Sequence, residues 1–336
     1  MTLQTNNKLY LLFILTLLLA LILRGSTLLG RAWGNAGMLV LAQALVAAPD
    51  VPVSRALSQA EEWFQRAVAY APEDRFAWRG LGFALVLQGR EGEAVTAWQR
   101  TGNMAWECLQ RGEKAREAKR YEEALTWYER AAWVEPGWGD PWYYAGLTYE
   151  ALEQWEEARG AYERAIETGA FTGVGWSSPY YRLGVIYQWR LEPRQTDAAL
   201  TAYETALEVN RFSTVREAAD CHYKRGEVLW WTGGDPGEYI AEYRQAIELN
   251  PQHAFAHIML GVAYYIRYKD VAMAEAEIRQ GLELSPENEW AYLHLGDIYR
   301  QAGRTDEAAA MYERALEIAP KSEAARERLQ ALHEGD

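Results

Sequence analysis

Two kinds of apolar pattern run along this chain. The first is an unbroken run: from Leu9 to Leu23 every residue is apolar except Thr16, and Lys8 and Arg24 bound it. The second covers the rest, where apolar residues recur at three- and four-residue spacing with Glu, Arg and Lys between them, the signature of amphipathic helices. Small residues punctuate this second pattern. Glycine returns at Gly82, Gly112, Gly146, Gly184, Gly226, Gly261 and Gly296, in steps of 30, 34, 38, 42, 35 and 35 residues. A companion series, Ala67, Thr101, Ala131, Ala165, Ala206, Ala246, Gly281 and Ala315, runs between them. Two small residues per period predict two close helix contacts per unit. A period of this length predicts stacked helical units, none able to bury its apolar face without its neighbours.

The clearest unit spans Glu289 to Ser322: a helix through Leu295, Gly296 and Tyr299, a turn at Ala302, Gly303 and Arg304, and a second helix through Ala308, Tyr312 and Ala315 that Pro320 stops. Trp142, Gly146, Tyr149, Ala158, Tyr162 and Ala165 form another strong copy; Trp78, Leu81, Gly82, Gly89, Ala94 and Trp98 form a third. This order of Trp, Leu-Gly, Tyr, Ala, Tyr, Ala and Pro resembles the tetratricopeptide repeat family over roughly residues 33 to 320. The first helices holding Gly112 and Gly226 depart from it, because Arg111 and Arg225 stand where leucine is expected. A less regular first unit is expected to pair a helix near Trp33 to Ala48 with one from Ala56 to Ala71. At the other end Ala325, Leu329 and Leu332 share a face opposite Glu and Arg, which predicts the polar-backed cap that such a stack needs. The resemblance implies an all-α, right-handed α-solenoid over residues 31–320, about seven good repeats plus one irregular first repeat, and about seventeen helices in all with the cap. Residues 1–30 would be a transmembrane or signal-anchor helix and 321–336 a C-terminal capping helix.

Residues 9–23 would rise about 22 Å as a helix, short of the ~30 Å hydrocarbon core, but Arg24 can snorkel and the residues up to Leu29 lengthen the span. A cleaved signal peptide competes with this reading, although no small-x-small site follows at the usual distance. An uncleaved single-pass anchor over residues 9–29 is the preferred reading. The short N-terminal head favours repeats on the extracytoplasmic side.

Charge separates the two parts. Residues 1–49 hold no Asp or Glu and three bases, Lys8, Arg24 and Arg31, leaving 47 acids against 31 bases over the rest. So acidic a domain repels phosphate backbones, which excludes non-specific nucleic-acid binding. Cys108 and Cys221 fall in repeats that are not adjacent in the stack and read as free, packed thiols.

No phosphate loop, nucleophile elbow or catalytic cysteine motif is present, so no cofactor, metal or enzymatic activity is expected. His253 and His257, one helical turn apart, have no third ligand nearby and read as surface and groove side chains. The family resemblance implies that the non-core face of each first helix lines a concave groove. Carried over position by position, the partner-binding candidates are Trp106, Tyr143, Tyr181, Trp189, Tyr223, Trp230, Trp231, Phe255, Tyr265, Trp290 and Arg300. Aromatic anchors of this kind suit a protein or peptide ligand. The expected function is a membrane-tethered, non-catalytic protein-interaction scaffold. A polysaccharide-binding or envelope-biogenesis accessory module is the alternative.

Overall fold

The structure, a computed structural model, describes residues 27–41, 53–191 and 193–334. These form seventeen helices and, among the described residues, no strand. In chain order α1 (residues 27–41) pairs with α2 (Val53–Tyr70), α3 (Arg75–Leu87) with α4 (Glu91–Gln99) and α5 (Met104–Glu117) with α6 (Tyr121–Val134), followed by α7 (Asp140–Ala151) and α8 (Trp155–Thr168). Then come α9 (Ser178–Trp189) with α10 (Thr196–Val209), α11 (Val215–Trp231) with α12 (Pro236–Leu249), α13 (Ala254–Tyr268) with α14 (Val271–Leu284), α15 (Glu289–Gln301) with α16 (Thr305–Ile318), and a last helix, α17 (Glu323–Glu334). The chain divides into two compact units, residues 1–148 and 149–336.

One contact builds most hairpins. The glycine of the first helix receives a ring from the second: Trp98 on Gly82, Tyr128 on Gly112, Tyr203 on Gly184, Tyr243 on Gly226 and Tyr312 on Gly296, with Ile278 in that place opposite Gly261. Each of these partners is essentially fully buried. A Cβ on Gly184 would stand 2.6 Å from Cδ1 and 2.8 Å from Cζ of Tyr203, well inside the 3.5–4.0 Å at which carbons rest. Alanines flanking the ring, such as Ala124 and Ala131 or Ala308 and Ala315, are fully buried and keep the helices close. This explains both small-residue series.

Several second-helix rings place their polar tips on partners, whereas the hydroxyls of Tyr128 and Tyr243 have none. The Tyr203 hydroxyl donates to Gln188 Oε1 at 2.8 Å, that of Tyr312 to Asp297 Oδ1 at 2.8 Å, that of Tyr162 to Glu150 Oε1 at 2.6 Å, and the Trp98 indole N–H to the Arg79 carbonyl at 3.3 Å.

Turns inside the hairpins need one left-handed residue. Gly89, Gly233 and Gly303 supply it at φ near 74°, but Lys119, Glu153 and Lys269 hold the same slot at 58°, 58° and 54°. A side chain there costs about 1–2 kcal/mol, so these turns are held by the packing on either side. Arginines at the start of second helices tie neighbouring repeats together. Arg90 reaches forward to Glu93 and back to Glu61 at 2.8 Å, and Arg304 reaches forward to Glu307 and back to Glu275 at 3.1 Å. The two departures from the repeat pattern are also accounted for. Arg111 lies over the rings of Phe83 and Trp127 at 4.8 and 4.9 Å, and Arg225 bridges Glu204 and Glu242 at 3.0 and 2.5 Å.

Both cysteines are free and fully buried. Burial pushes the Cys108 thiol up to about 12 and raises that of Cys221 as well. At the C-terminal end Ser322 accepts from the Ala325 amide at the start of α17, and Ala325 and Leu332 are buried against α15 and α16. The expected first unit is present as α1 and α2, though α1 is described only to residue 41. The apolar run Leu9 to Leu23 lies outside the described residues. No helix among the described residues is long and apolar enough to cross a membrane.

Candidate functional site

In the unit of residues 149–336, α9 packs on α11 and α13 on α15, and side chains three and four residues apart on each of these helices share a face. In the unit of residues 1–148, the corresponding face is largely occupied by its own contacts. Arg79 pairs with Glu107 at 2.9 Å, and Trp106, half exposed, stacks on Trp138 with centroids 6.1 Å apart. Tyr143 is buried and lies edge-on to Tyr144.

In the unit of residues 149–336 the candidates separate into three groups. Tyr181, Tyr223 and Tyr265 are buried: Tyr181 packs on Tyr203, Tyr223 between His253 and Phe255, and Tyr265 beneath Lys269, whose Nζ is 4.8 Å from the ring. Trp189 and Trp230 are half-buried, Trp230 edge-on to Tyr239. Trp231, Phe255, Trp290 and Arg300 are exposed, the three rings at 65, 52 and 63%. The structure thus brings Tyr181, Trp189, Tyr223 and Phe255 together across α9, α11 and α13. Trp290 instead sits beside His294 on α15. Asp297, also on the first-helix face of that repeat, is held by Arg328 of the cap helix at 3.0 Å.

Glu227 is the hub of the first cluster. It accepts from the Tyr223 hydroxyl at 2.8 Å and from Lys224 at 2.6 Å. Lys224 in turn lies 5.7 Å from the Trp189 ring, and Arg194 lies 4.8 Å from the same ring. Burial first, and the charge of Glu227 in addition, hold the phenols of Tyr203, Tyr223 and Tyr243 above their ordinary range. They stay neutral donors at physiological pH. Buried side-chain atoms without a hydrogen-bond partner in this region include Nε2 of Gln188, Nε1 of Trp189, Nε of Arg225, Nε2 of His253 and the hydroxyl of Tyr243. Gln188 is only 4% exposed, its Oε1 already engaged by Tyr203. A buried donor without an acceptor costs about 1–3 kcal/mol.

The histidine pair differs from its sequence reading, since both rings are buried. His253 caps α13, its Nδ1 accepting from the Ala256 amide, and its Nε2 faces Asp220 at 3.1 Å. His257 is held by Glu277 and the Pro251 carbonyl at 2.8 and 3.1 Å. Among the described residues no group of three ligating side chains could hold a metal ion.

Two members of the cluster, Asp220 and Lys224, were not singled out from sequence. Asp220 stands three residues before Tyr223 as Asp140 stands before Tyr143, and that spacing was the available signal. The early start of α11 at Val215 obscured it.

Models of the tetratricopeptide repeat match residues 54–102, 142–168 and 265–332. No curated protein matches the chain. Among solved structures it resembles a chain of the APC/C hetero-tetramer Cut9-Hcn1 at 18% identity and a TM-score of 0.53, with 82% of this chain and 52% of that one covered. The chain therefore spans about half the length of that neighbour. It also resembles pilF of Pseudomonas aeruginosa at 13% identity and a TM-score of 0.55, covering 70% of this chain and 99% of pilF. These likenesses concern the fold.

Proposed function

We propose that this chain, which is built of tetratricopeptide repeats, is a non-catalytic scaffold that holds a protein segment against the first-helix face of residues 149–336. The supporting observation is the Glu227 cluster. Trp189, half-buried under Lys224, and the exposed rings of Trp231 and Phe255 stand on α9, α11 and α13, so apolar, aromatic and charged groups are offered on one set of first helices. A peptide offers complementary groups along its length. The phenols and thiols of this unit are driven towards their neutral forms by burial, which supports binding rather than proton transfer or nucleophilic attack. The chain is tethered by residues 9–29 to a membrane, with the repeats on the extracytoplasmic side. This part of the proposal rests on the uncharged run Leu9 to Leu23 and the short head before it.

Probing immobilised peptide arrays with the protein tests the reading. A bound peptide should lose about 10- to 100-fold in affinity on combined replacement of Trp231 and Phe255 by Ala, the range expected for aromatic anchors. Unchanged affinity would remove the site. The exposed indoles of Trp231 and Trp290 also suit stacking on sugar rings. Tryptophan fluorescence that stays flat across a panel of surface polysaccharides would eliminate that second reading.

A further inference from the structure

Helix α1 is built inside out. Gly30, Gly34, Gly37 and Leu41, spaced four, three and four residues, form the side turned to the second helix and its neighbour: a Cβ on Gly30 would meet Ala71 Cβ at 2.6 Å, and one on Gly37 would meet Phe64 at 2.9 Å. Two residues away around the helix, close to the opposite side, run Leu28, Ala32, Asn35 and Leu39 at the same spacing. Leu28 is 66% exposed and Leu39 62%, with Leu29 and Met38 exposed beside them. A helix packed against its domain normally turns large apolar residues inward; this one turns three glycines and Leu41 inward and leaves Leu28, Leu29, Met38 and Leu39 exposed alongside Arg31 and Asn35. Its outward leucines call for a covering of their own. Beside the start of the helix, on the flank between its glycine side and Arg31, lies an open cavity of about 580 Å³ lined by the exposed rings of Tyr70 and Phe76 together with Glu73, Asp74 and Arg75.

The chain just before α1 says what covers this face. Leu23 ends the uncharged run, and only Arg24, Gly25 and Ser26 separate it from Thr27, four residue steps with a reach of at most about 14 Å. If residues 9–23 enter lipid, α1 starts in or next to the headgroup layer, which is several ångströms deep on each side of the hydrocarbon core. Charge agrees: on the α1 side of the uncharged run, residues 24–49 carry Arg24 and Arg31 and no acid, while the rest of the chain is strongly acidic, so this stretch is the one attracted to an anionic surface. We infer that the outward face of α1, through Leu28, Leu29, Met38 and Leu39, lies in the interfacial layer of an anionic bilayer and docks the first repeat on the membrane. This rests on the tethering reading. The tether then becomes a platform that fixes the repeats at the surface, as interfacial helices do when their apolar side is buried at the headgroup boundary.

The test uses the full chain in vesicles of equal parts phosphatidylcholine and phosphatidylglycerol. Cys108 and Cys221 are buried, so a thiol-reactive fluorophore attaches only to an introduced cysteine, Leu39→Cys or, as a solvent control on α2, Ser58→Cys. Both positions are exposed, so neither change disturbs the packing. In vesicle-floated protein the probe at 39 should resist iodide at least about fivefold better than the probe at 58, and be quenched by brominated lipid, as expected of a helix at the interface. Equal iodide quenching at the two positions in floated protein overturns the docking and leaves the tether standing. Shielding at 39 without quenching by brominated lipid overturns it too, because then the chain itself or a second copy covers the face. Protein that fails to float removes the tether, and the docking with it.

Discussion

Replacing Gly184 by Ala adds one methyl group at the point where Tyr203 crosses α9. The new carbon would lie 2.6 Å from Cδ1 and 2.8 Å from Cζ of a ring that is fully buried and has nowhere to retreat. Overpacking of this kind costs about 1–3 kcal/mol. Displacing the ring also strains the hydroxyl bond to Gln188, worth about 0.5–1.5 kcal/mol. Against this, alanine is favoured over glycine inside a helix by about 0.8–1.0 kcal/mol. The net expectation is a loss of about 1–3 kcal/mol. Gly160 in α8 is the matched control: it is helical, but nothing lies within 4 Å of where its Cβ would be, so Gly160→Ala should gain the helix preference alone. Because repeat arrays need not unfold in one step, the readout is the urea midpoint by circular dichroism together with hydrogen exchange in α9 and α10. Gly184→Ala should lower the midpoint and the local protection, and Gly160→Ala should raise the midpoint. Adding Tyr203→Leu to Gly184→Ala should cost less than Tyr203→Leu costs alone, because the clash is gone. A Gly184→Ala protein as stable as the Gly160→Ala protein would refute the glycine-to-ring account of the hairpins.

Further outcomes follow from the same contacts. Lys119→Gly, which frees a left-handed turn from its side chain, should raise the thermal midpoint by the equivalent of about 1 kcal/mol; a lower midpoint would show the lysine to be a net stabiliser. Burial pushes the phenols of Tyr128 and Tyr144 up from 10 to about 12, so in the folded chain they keep their protons after the unfolded chain has lost them. Their contribution is intact below pH 10 and is lost as pH rises from 10 through about 12, which urea midpoints measured across that window should show as a steady fall. Constant midpoints would mean that these rings are wetter than the structure has them. Arg328→Ala should loosen α17 by releasing Asp297, seen as faster hydrogen exchange in α17 with little change in α9 to α12.

The hairpins were legible because their central contact needs a small residue, and small residues at a fixed period stand out against bulky neighbours, as Gly184 does before Tyr203. Turns were legible only where glycine filled the left-handed slot; Lys119, Glu153 and Lys269 occupy it with nothing in their identity to show it. The candidate site was legible by position and less so by exposure. Tyr181 and Tyr223 on the one hand, Trp231 and Phe255 on the other, occupy first-helix positions of similar apolar character. Whether a ring turns into the stack or out of it depends on neighbours two helices away, such as His253 against Tyr223. The same holds for Asp297, whose engagement by Arg328 comes from a helix thirty residues further on.

Photo-crosslinking of an array-identified peptide tests the central claim most directly. With p-benzoylphenylalanine placed in turn at Trp231, at Phe255 and at the exposed second-helix position Gln280, mass spectrometry should find the peptide joined at 231 and 255 and absent at 280. Crosslinks at 280 with none at 231 or 255 would move the partner to the other face of the repeats and contradict the proposed site.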